Sequence, residues 1–465
     1  MIRLPHLVAK RDARPPGPRT PGWLNALRYV RDPLGLWTSL GRTYGDVAYL
    51  KLGRYDCYLV NHPDLIRDVL TSAPGVLVKA RAYEEGKRVL GDGLFTSEGE
   101  VHTQQRRTVQ PLFARARVTG YADVAAQAAE RAQERWRPGA VIDVEDEMGR
   151  LTMAVIGDAL VARDLGEETA EIARSLTASA AVLLRFLLPF SGVLWRLPLP
   201  SNRRFEAGRR RLDELIYGLL AERRRAGENG DDLLALLLAA SSGERQVRDE
   251  VATILLAGHE TMAVGLTWTW YLLSRHPAAE AKLHREVDEV LRSRLPGGDD
   301  LHRLAFTRMV FQEAMRLYPP AWAIARRTTT EFKLGAYRVP AGSMLFLSQW
   351  VTQRDPRFFP DPLVFRPERW ADARPALQAY FPFGGGPRVC IGERFAWMEA
   401  TMILATIARR WRLRLLAGDE AVPRPVVTLR PRQRVAMLVE SRVQGRSRPS
   451  VRQRSVERER DRTGH

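Results

Sequence analysis

A chain of 465 residues, 45% of them hydrophobic, can build a sizeable core, and no run approaches the roughly 18 uninterrupted apolar residues of a membrane span. The formal net charge of +18 points to an anionic partner, but the basic residues are mostly arginine, which a GC-rich genome explains as readily, and nucleic acid is not expected. Two cysteines, Cys57 and Cys390, exclude the disulfide framework of a small secreted domain, and the N-terminus lacks signal-peptide features, so a cytoplasmic location is expected.

Residues 1–20 end in the stiff segment Arg14-Pro15-Pro16-Gly17-Pro18, which leads into the domain. From Pro33 to Val60 a short helix and then two strands are predicted, with a turn at Gly53-Arg54. Cys57 falls in the second strand and reads as a buried structural residue. Helical periodicity then dominates to about residue 320, with helices predicted over 122–136, 147–163, 204–225, 246–275 and 278–294. Residues 176–199 are strongly apolar but broken by Pro189 and Pro198, so one continuous helix is excluded. A helix–loop–helix on the core, a lid over a cavity and a membrane-touching patch all remain open for that stretch. Short strands follow near 331–348, and a last long helix runs from about Gly392 to Trp411. The tail from Ser441 to His465 is basic, nearly free of apolar residues, and expected to be disordered. With no repeats and no clean linker, the pattern is one large, mainly α domain with small β-sheets over residues 21–440.

Most of the chemistry lies around Cys390. In Phe381-Pro382-Phe383-Gly384-Gly385-Gly386-Pro387-Arg388-Val389-Cys390-Ile391-Gly392, successive glycines let backbone approach something large and flat. A following helix N-terminus favours a thiolate over a thiol. Upstream, Glu313 and Arg316 share a helix face at i,i+3, and Phe365-Arg366-Pro367-Glu368-Arg369-Trp370 supplies a further arginine. Within the long apolar helix around 251–273, Ala257-Gly258-His259-Glu260-Thr261 places an acid and an alcohol where burial is costly unless they are paired or carry protons. The alternative has Thr261 bonding back to the i−4 carbonyl and Glu260 facing solvent.

The pattern Phe383, Gly386, Arg388, Cys390, Gly392 resembles the haem-binding signature of the cytochrome P450 superfamily. The Glu313-x-x-Arg316 pair, Arg369 and the Glu260-Thr261 pair match the family's other motifs in the same order. The resemblance covers about residues 20–440 and implies the cytochrome P450 fold and a haem-thiolate monooxygenase. It implies haem b ligated by Cys390 (a soft, electron-donating ligand), with Phe383, Gly384 and Gly392 around the sulfur. Thr261 would then hydrogen-bond bound O2, Glu260 would relay protons, and Ala257 with Gly258 would leave room for the gas. His259 is not expected to be a ligand. Glu313, Arg316 and Arg369 would form a structural network that holds the cysteine loop. Arg388, His102 and Arg106 (i,i+4 on one helix face) and Arg326 would meet the haem propionates, with Arg107 or Arg327 as alternatives. Selectivity loops would fall near 77–98, 176–200 and 320–325, all apolar, which suits a lipophilic substrate such as a terpene, fatty acid or polyketide. No flavin or ferredoxin sequence is fused, so electrons would come from a separate ferredoxin or flavodoxin with its reductase. A peroxide-using relative and a non-enzymatic haem sensor or carrier are weighed against this, and the retained acid–alcohol pair argues against both.

Overall fold

A computed structural model describes residues 14–161, 197–225, 232–240, 243–371, 378–416, 418 and 420–442. The apolar stretch at 176–199 therefore lies outside the described residues except for 197–199, as does the tail beyond Arg442.

The predicted helices are present with shifted ends: Arg115–Gln133, Val144–Val161, Pro200–Arg225, Glu244–Arg275 and Pro277–Leu291. Two of these begin at proline, whose fixed φ suits the first helical turn. The last stops short of the expected 294 because Arg292 turns left-handed, with φ 55°. The 32-residue helix Glu244–Arg275 runs through the core and is buried along most of its length; it is called the central helix below. It packs on Val144–Val161 and on Ala305–Leu317.

Four small sheets lie beside this helical mass. The largest has the order β1 (Val47–Leu52), β2 (Tyr55–Val60), β8 (Met344–Leu347), β5 (Ile324–Thr328) and β3 (Leu77–Lys79). Its β2–β8 pairing is parallel, with Cys57 opposite Met344. Strand β5 is a correction: residues 320–325 read as a loop, yet Ile324 onward pairs with β8 on one side and β3 on the other. The hairpin β6 (Phe332–Leu334) with β7 (Tyr337–Val339) falls where strands were expected. A second correction concerns the start of the tail. Ser441 pairs with Trp411 at the end of β12 (Ala436–Ser441), and the Arg442 guanidinium donates to the carbonyls of Ala408 and Arg409. Both residues therefore belong to the fold.

The helix Gly22–Arg31, which the sequence pattern did not single out, is fastened to the β1–β2 hairpin. Gly53 N–H donates to the Gly22 carbonyl at 2.8 Å, and fully buried Asn25 donates to the Lys51 carbonyl at 2.9 Å. A Cβ on Gly22 would stand 2.1 Å from the Gly53 oxygen, so only glycine permits this approach. Among the described residues no helix is long and apolar enough to cross a membrane.

Candidate active site

The Cys390 loop is held by a buried charge network. Glu313 and Arg316 are both fully buried and form a two-bond pair, Nε to Oε2 at 2.9 Å and Nη2 to Oε1 at 2.8 Å. Arg369 Nε adds a bond to Glu313 Oε1 at 2.8 Å, and Trp370 Nε1 donates to Oε2 at 2.9 Å. The remaining arginine donors go to backbone carbonyls of Gln353, Pro360, Pro362 and Val364. This satisfies the donors that make a buried pair tolerable and fixes the segment leading to the cysteine.

Within the loop, Cys390 N–H donates to the Phe383 carbonyl at 2.9 Å, and the helix Glu393–Arg410 starts three residues later. The Phe383 ring stands edge-on to Trp397 of that helix, with centroids 5.5 Å apart. The glycines also serve the packing of the loop. Gly384 and Gly386 adopt positive φ (74° and 65°), and a Cβ on Gly386 would lie 2.1 Å from the Leu70 carbonyl oxygen. Gly385 also faces Leu70, so the loop approaches the helix Pro63–Leu70 closely. Burial pushes the Cys390 thiol up to about 11, although the Gly392 N–H and the Arg106 charge pull the other way. The helix start alone therefore does not yield a thiolate here; a bound cationic metal would deprotonate the thiol outright.

Cys390 carries exposed surface, and so does Ala257 midway along the otherwise buried central helix. Cations gather near Cys390. His102 and Arg106 sit one turn apart on the helix Gly99–Val109, and Arg106 Nη1 donates to the Val389 carbonyl at 2.8 Å, tying that helix to the cysteine loop. Arg388 pairs with Glu98 at 2.5 Å and donates to the Leu77 carbonyl. Arg326 is buried opposite Lys79 in the β5–β3 ladder and pairs with no carboxylate among the described residues. Arg107 is exposed and Arg327 pairs with Glu84, so of these arginines Arg326 is buried and Arg106 half-buried. Lys79 was missed by sequence reading. Its ammonium is buried, donates to the Leu94 and Ser97 carbonyls, and is lowered to about 7 by desolvation. His102 is held down at about 4, by burial and then by the charges of Lys79 and Arg388. One carboxylate, Glu98, faces this group of four cations and an imidazole. Such a surplus fits a ligand bearing carboxylates beside a soft sulfur donor, and haem is such a ligand.

On the central helix, Ala257, Glu260 and Thr261 line a largely apolar cavity. Gly258 does not: a Cβ there would meet Ile156 at 3.0 Å, so its small size serves packing against Val144–Val161. His259 likewise turns away, its Nδ1 3.2 Å from Thr152 Oγ1. Thr261 Oγ1 donates to the Ala257 carbonyl at 2.7 Å, the back-bonded arrangement. Glu260 is buried rather than solvent-facing. It accepts from Thr428 Oγ1 at 2.7 Å and lies 3.7 Å from Arg430 Nε, which also reaches Glu145 at 3.2 Å. Thr428 and Arg430 come from about 170 residues downstream and carried no sequence signal. The stretch 321–325 lines the cavity as expected, with Ala80 to Tyr83, Leu90 and Phe95 from the 77–98 region. Tyr29, Leu52, Tyr55, Cys57, Met344 and Phe346 add a wall that sequence reading did not anticipate. Cys57 is buried in β2 as predicted.

Fold and site together describe a mainly helical protein with an exposed cysteine beside a cluster of cations. A profile of the family described as Cytochrome P450 matches residues 15–436. The chain is 42% identical over 418 residues to cyclooctatin synthase of Streptomyces melanosporofaciens, covering 87% of this chain and 91% of that protein. It is 38% identical to cyclooctat-9-en-7-ol 5-monooxygenase of the same organism (90% and 94% covered). It is 33% identical to pentalenene oxygenase of Streptomyces avermitilis (90% and 96% covered). The chain belongs to the cytochrome P450 family, and is an oxidoreductase of the monooxygenase kind.

Proposed function

We propose that this protein is a haem-thiolate monooxygenase that hydroxylates or epoxidises a terpenoid. It would use haem b, O2 and electrons from a separate ferredoxin or flavodoxin with its reductase. The observation that carries the reading is the exposed Cys390 beside a cluster of cations that has one carboxylate to share. When bound, haem supplies the activation of O2 and the oxygen transfer. The chain's residues set the conditions for it. Cys390 donates sulfur from a loop that Glu313, Arg316 and Arg369 immobilise, with Phe383, Gly384 and Gly392 shaping it. Arg106, Arg326, Arg388, His102 and Lys79 would hold the propionates. Ala257 leaves space on the central helix. Thr261 and Glu260 would move protons toward that space, and Arg430 with Glu145 would link Glu260 toward the surface. Both cysteines are free thiols, which suits the cytoplasm.

The terpenoid assignment rests on the apolar cavity walls and on relatives whose names refer to cyclooctatin, cyclooctat-9-en-7-ol and pentalenene. A carbon monoxide difference spectrum of the reduced protein tests the central claim. The wild type should give the red-shifted Soret band of a thiolate-ligated haem, and Cys390→His should lose that band while retaining haem. A wild type without the band would refute the assignment.

A further inference from the structure

Most polar groups on the cavity wall have a partner. Tyr55 Oη accepts from Arg54 at 3.0 Å and Tyr83 accepts from Arg326, each keeping its own O–H, and Arg81 stacks over the Tyr55 ring at 5.3 Å. Cys57 Sγ leans on the Tyr55 carbonyl at 3.7 Å, while Glu260 and Thr261 hold Thr428 and the Ala257 carbonyl. Thr253 Oγ1 has no partner but is sealed, because the Cα of Gly93 packs against it and a Cβ there would stand at 2.2 Å. The exception is Tyr29. Its side chain lines the cavity, yet its hydroxyl has no hydrogen-bond partner among the described residues.

Tyr29 is also rigidly placed. Its helix is fastened to the β1–β2 hairpin through Gly22 and Asn25, and its ring stands edge-on against fully buried Trp37, with centroids 5.9 Å apart. It belongs to the sheet-side core, with Cys57, Met344 and Phe346, whereas Glu260 and Thr261 stand on the central helix. Burial raises its phenol, which therefore stays protonated and able to donate. A hydroxyl that faces a largely apolar cavity without a protein partner is free to bond an acceptor bound there.

We propose that Tyr29 is a specificity residue whose hydroxyl binds an oxygen function, alcohol or ketone, already present on the hydrocarbon substrate. The enzyme then prefers an oxygenated terpenoid to the parent hydrocarbon and acts after an earlier oxygen-installing or water-quenched cyclisation step. Most of the wall is apolar, so an oxygen that reaches Tyr29 is favoured over one that meets only carbon. This inference rests on the terpenoid reading above.

Spin-state titration of the ferric haem protein with matched ligand pairs of sesquiterpene and diterpene size, beginning with cedrol and cedrane, tests it. The alcohol should bind roughly five- to tenfold more tightly than its hydrocarbon, as one neutral hydrogen bond would give. Tyr29→Phe keeps the ring and should erase that preference by weakening the alcohol alone. Equal affinities within each pair in the wild type, or equal weakening of both members by Tyr29→Phe, would overturn the role of Tyr29 and leave the terpenoid reading standing. If no member of any pair shifts the spectrum while the thiolate band is present, the terpenoid reading falls and this inference falls with it.

Discussion

Glu260 shows how an unfavourable residue becomes informative through its partners. A carboxylate on a core helix needs hydrogen bonds or a counter-charge, and here it has the Thr428 hydroxyl and a nearby guanidinium that also reaches Glu145. Glu145 is itself raised above the usual carboxylate range by burial, more than Arg430 offsets, so it can hold a proton nearer neutrality. Replacing Glu260 with Gln keeps the Thr428 bond but removes the titrating oxygen. Product formation should fall roughly a hundredfold, within the range of a lost general acid–base group, while the thiolate band is unchanged. Thr261→Ala should act differently. Its hydroxyl now satisfies the Ala257 carbonyl, and its loss should divert electrons to peroxide, read as less product per NADH consumed. Unchanged coupling in both variants would exclude the pair from proton delivery.

At the level of elements, the Ala305–Leu317 helix and the helix Glu393–Arg410 that follows the cysteine loop each carry a buried acid with opposite consequences. Glu313 serves two arginines, so Glu313→Gln leaves buried guanidinium charge uncompensated and should cost about 3–5 kcal/mol in denaturant unfolding, with haem lost more easily. Glu399 is fully buried and neither carboxylate oxygen has a hydrogen-bond partner; desolvation raises its pKa well above normal. Below the unfolded pKa of about 4.3 both states are protonated. Above it only the unfolded chain ionises, so stability drains away as pH rises. The advantage of Glu399→Gln over wild type should therefore widen from pH 4 upward, and a pH-independent difference would show Glu399 ionised in the fold. These elements also mark what the sequence could disclose. Periodicity located the helices, and the order of motifs located Cys390, Glu260 and Thr261, because each signal is local. Lys79 beside Arg326, Arg430 beside Glu260 and Tyr29 on the cavity wall arise from strand register and helix docking between segments far apart in the chain. No local pattern encodes those meetings. The glycines before Cys390 stand out in the sequence, but their packing against Leu70 does not, because Leu70 is remote in the chain.

For the molecule as a whole, the net charge of +18 acquires a location. The proposed electron donor would approach through the cysteine loop, where Cys390 is exposed. Around that loop Arg107, Arg115 and Arg394 are exposed, and Phe113, two residues from Arg115, lies 3.9 Å from where a Cβ on Gly392 would be. Basic charge spread evenly would attract any anion weakly, whereas exposed arginines beside the sulfur orient an acidic partner productively. The double charge reversal Arg115→Glu with Arg394→Glu, remote from the cavity, should slow reduction by an acidic ferredoxin at low salt by roughly tenfold or more. The wild-type rate should fall toward the variant's as salt rises, because screening removes the same attraction. Stopped-flow reduction under carbon monoxide measures both. Equal rates for wild type and variant across the salt series would place the donor on another face and leave the arginine excess a matter of composition.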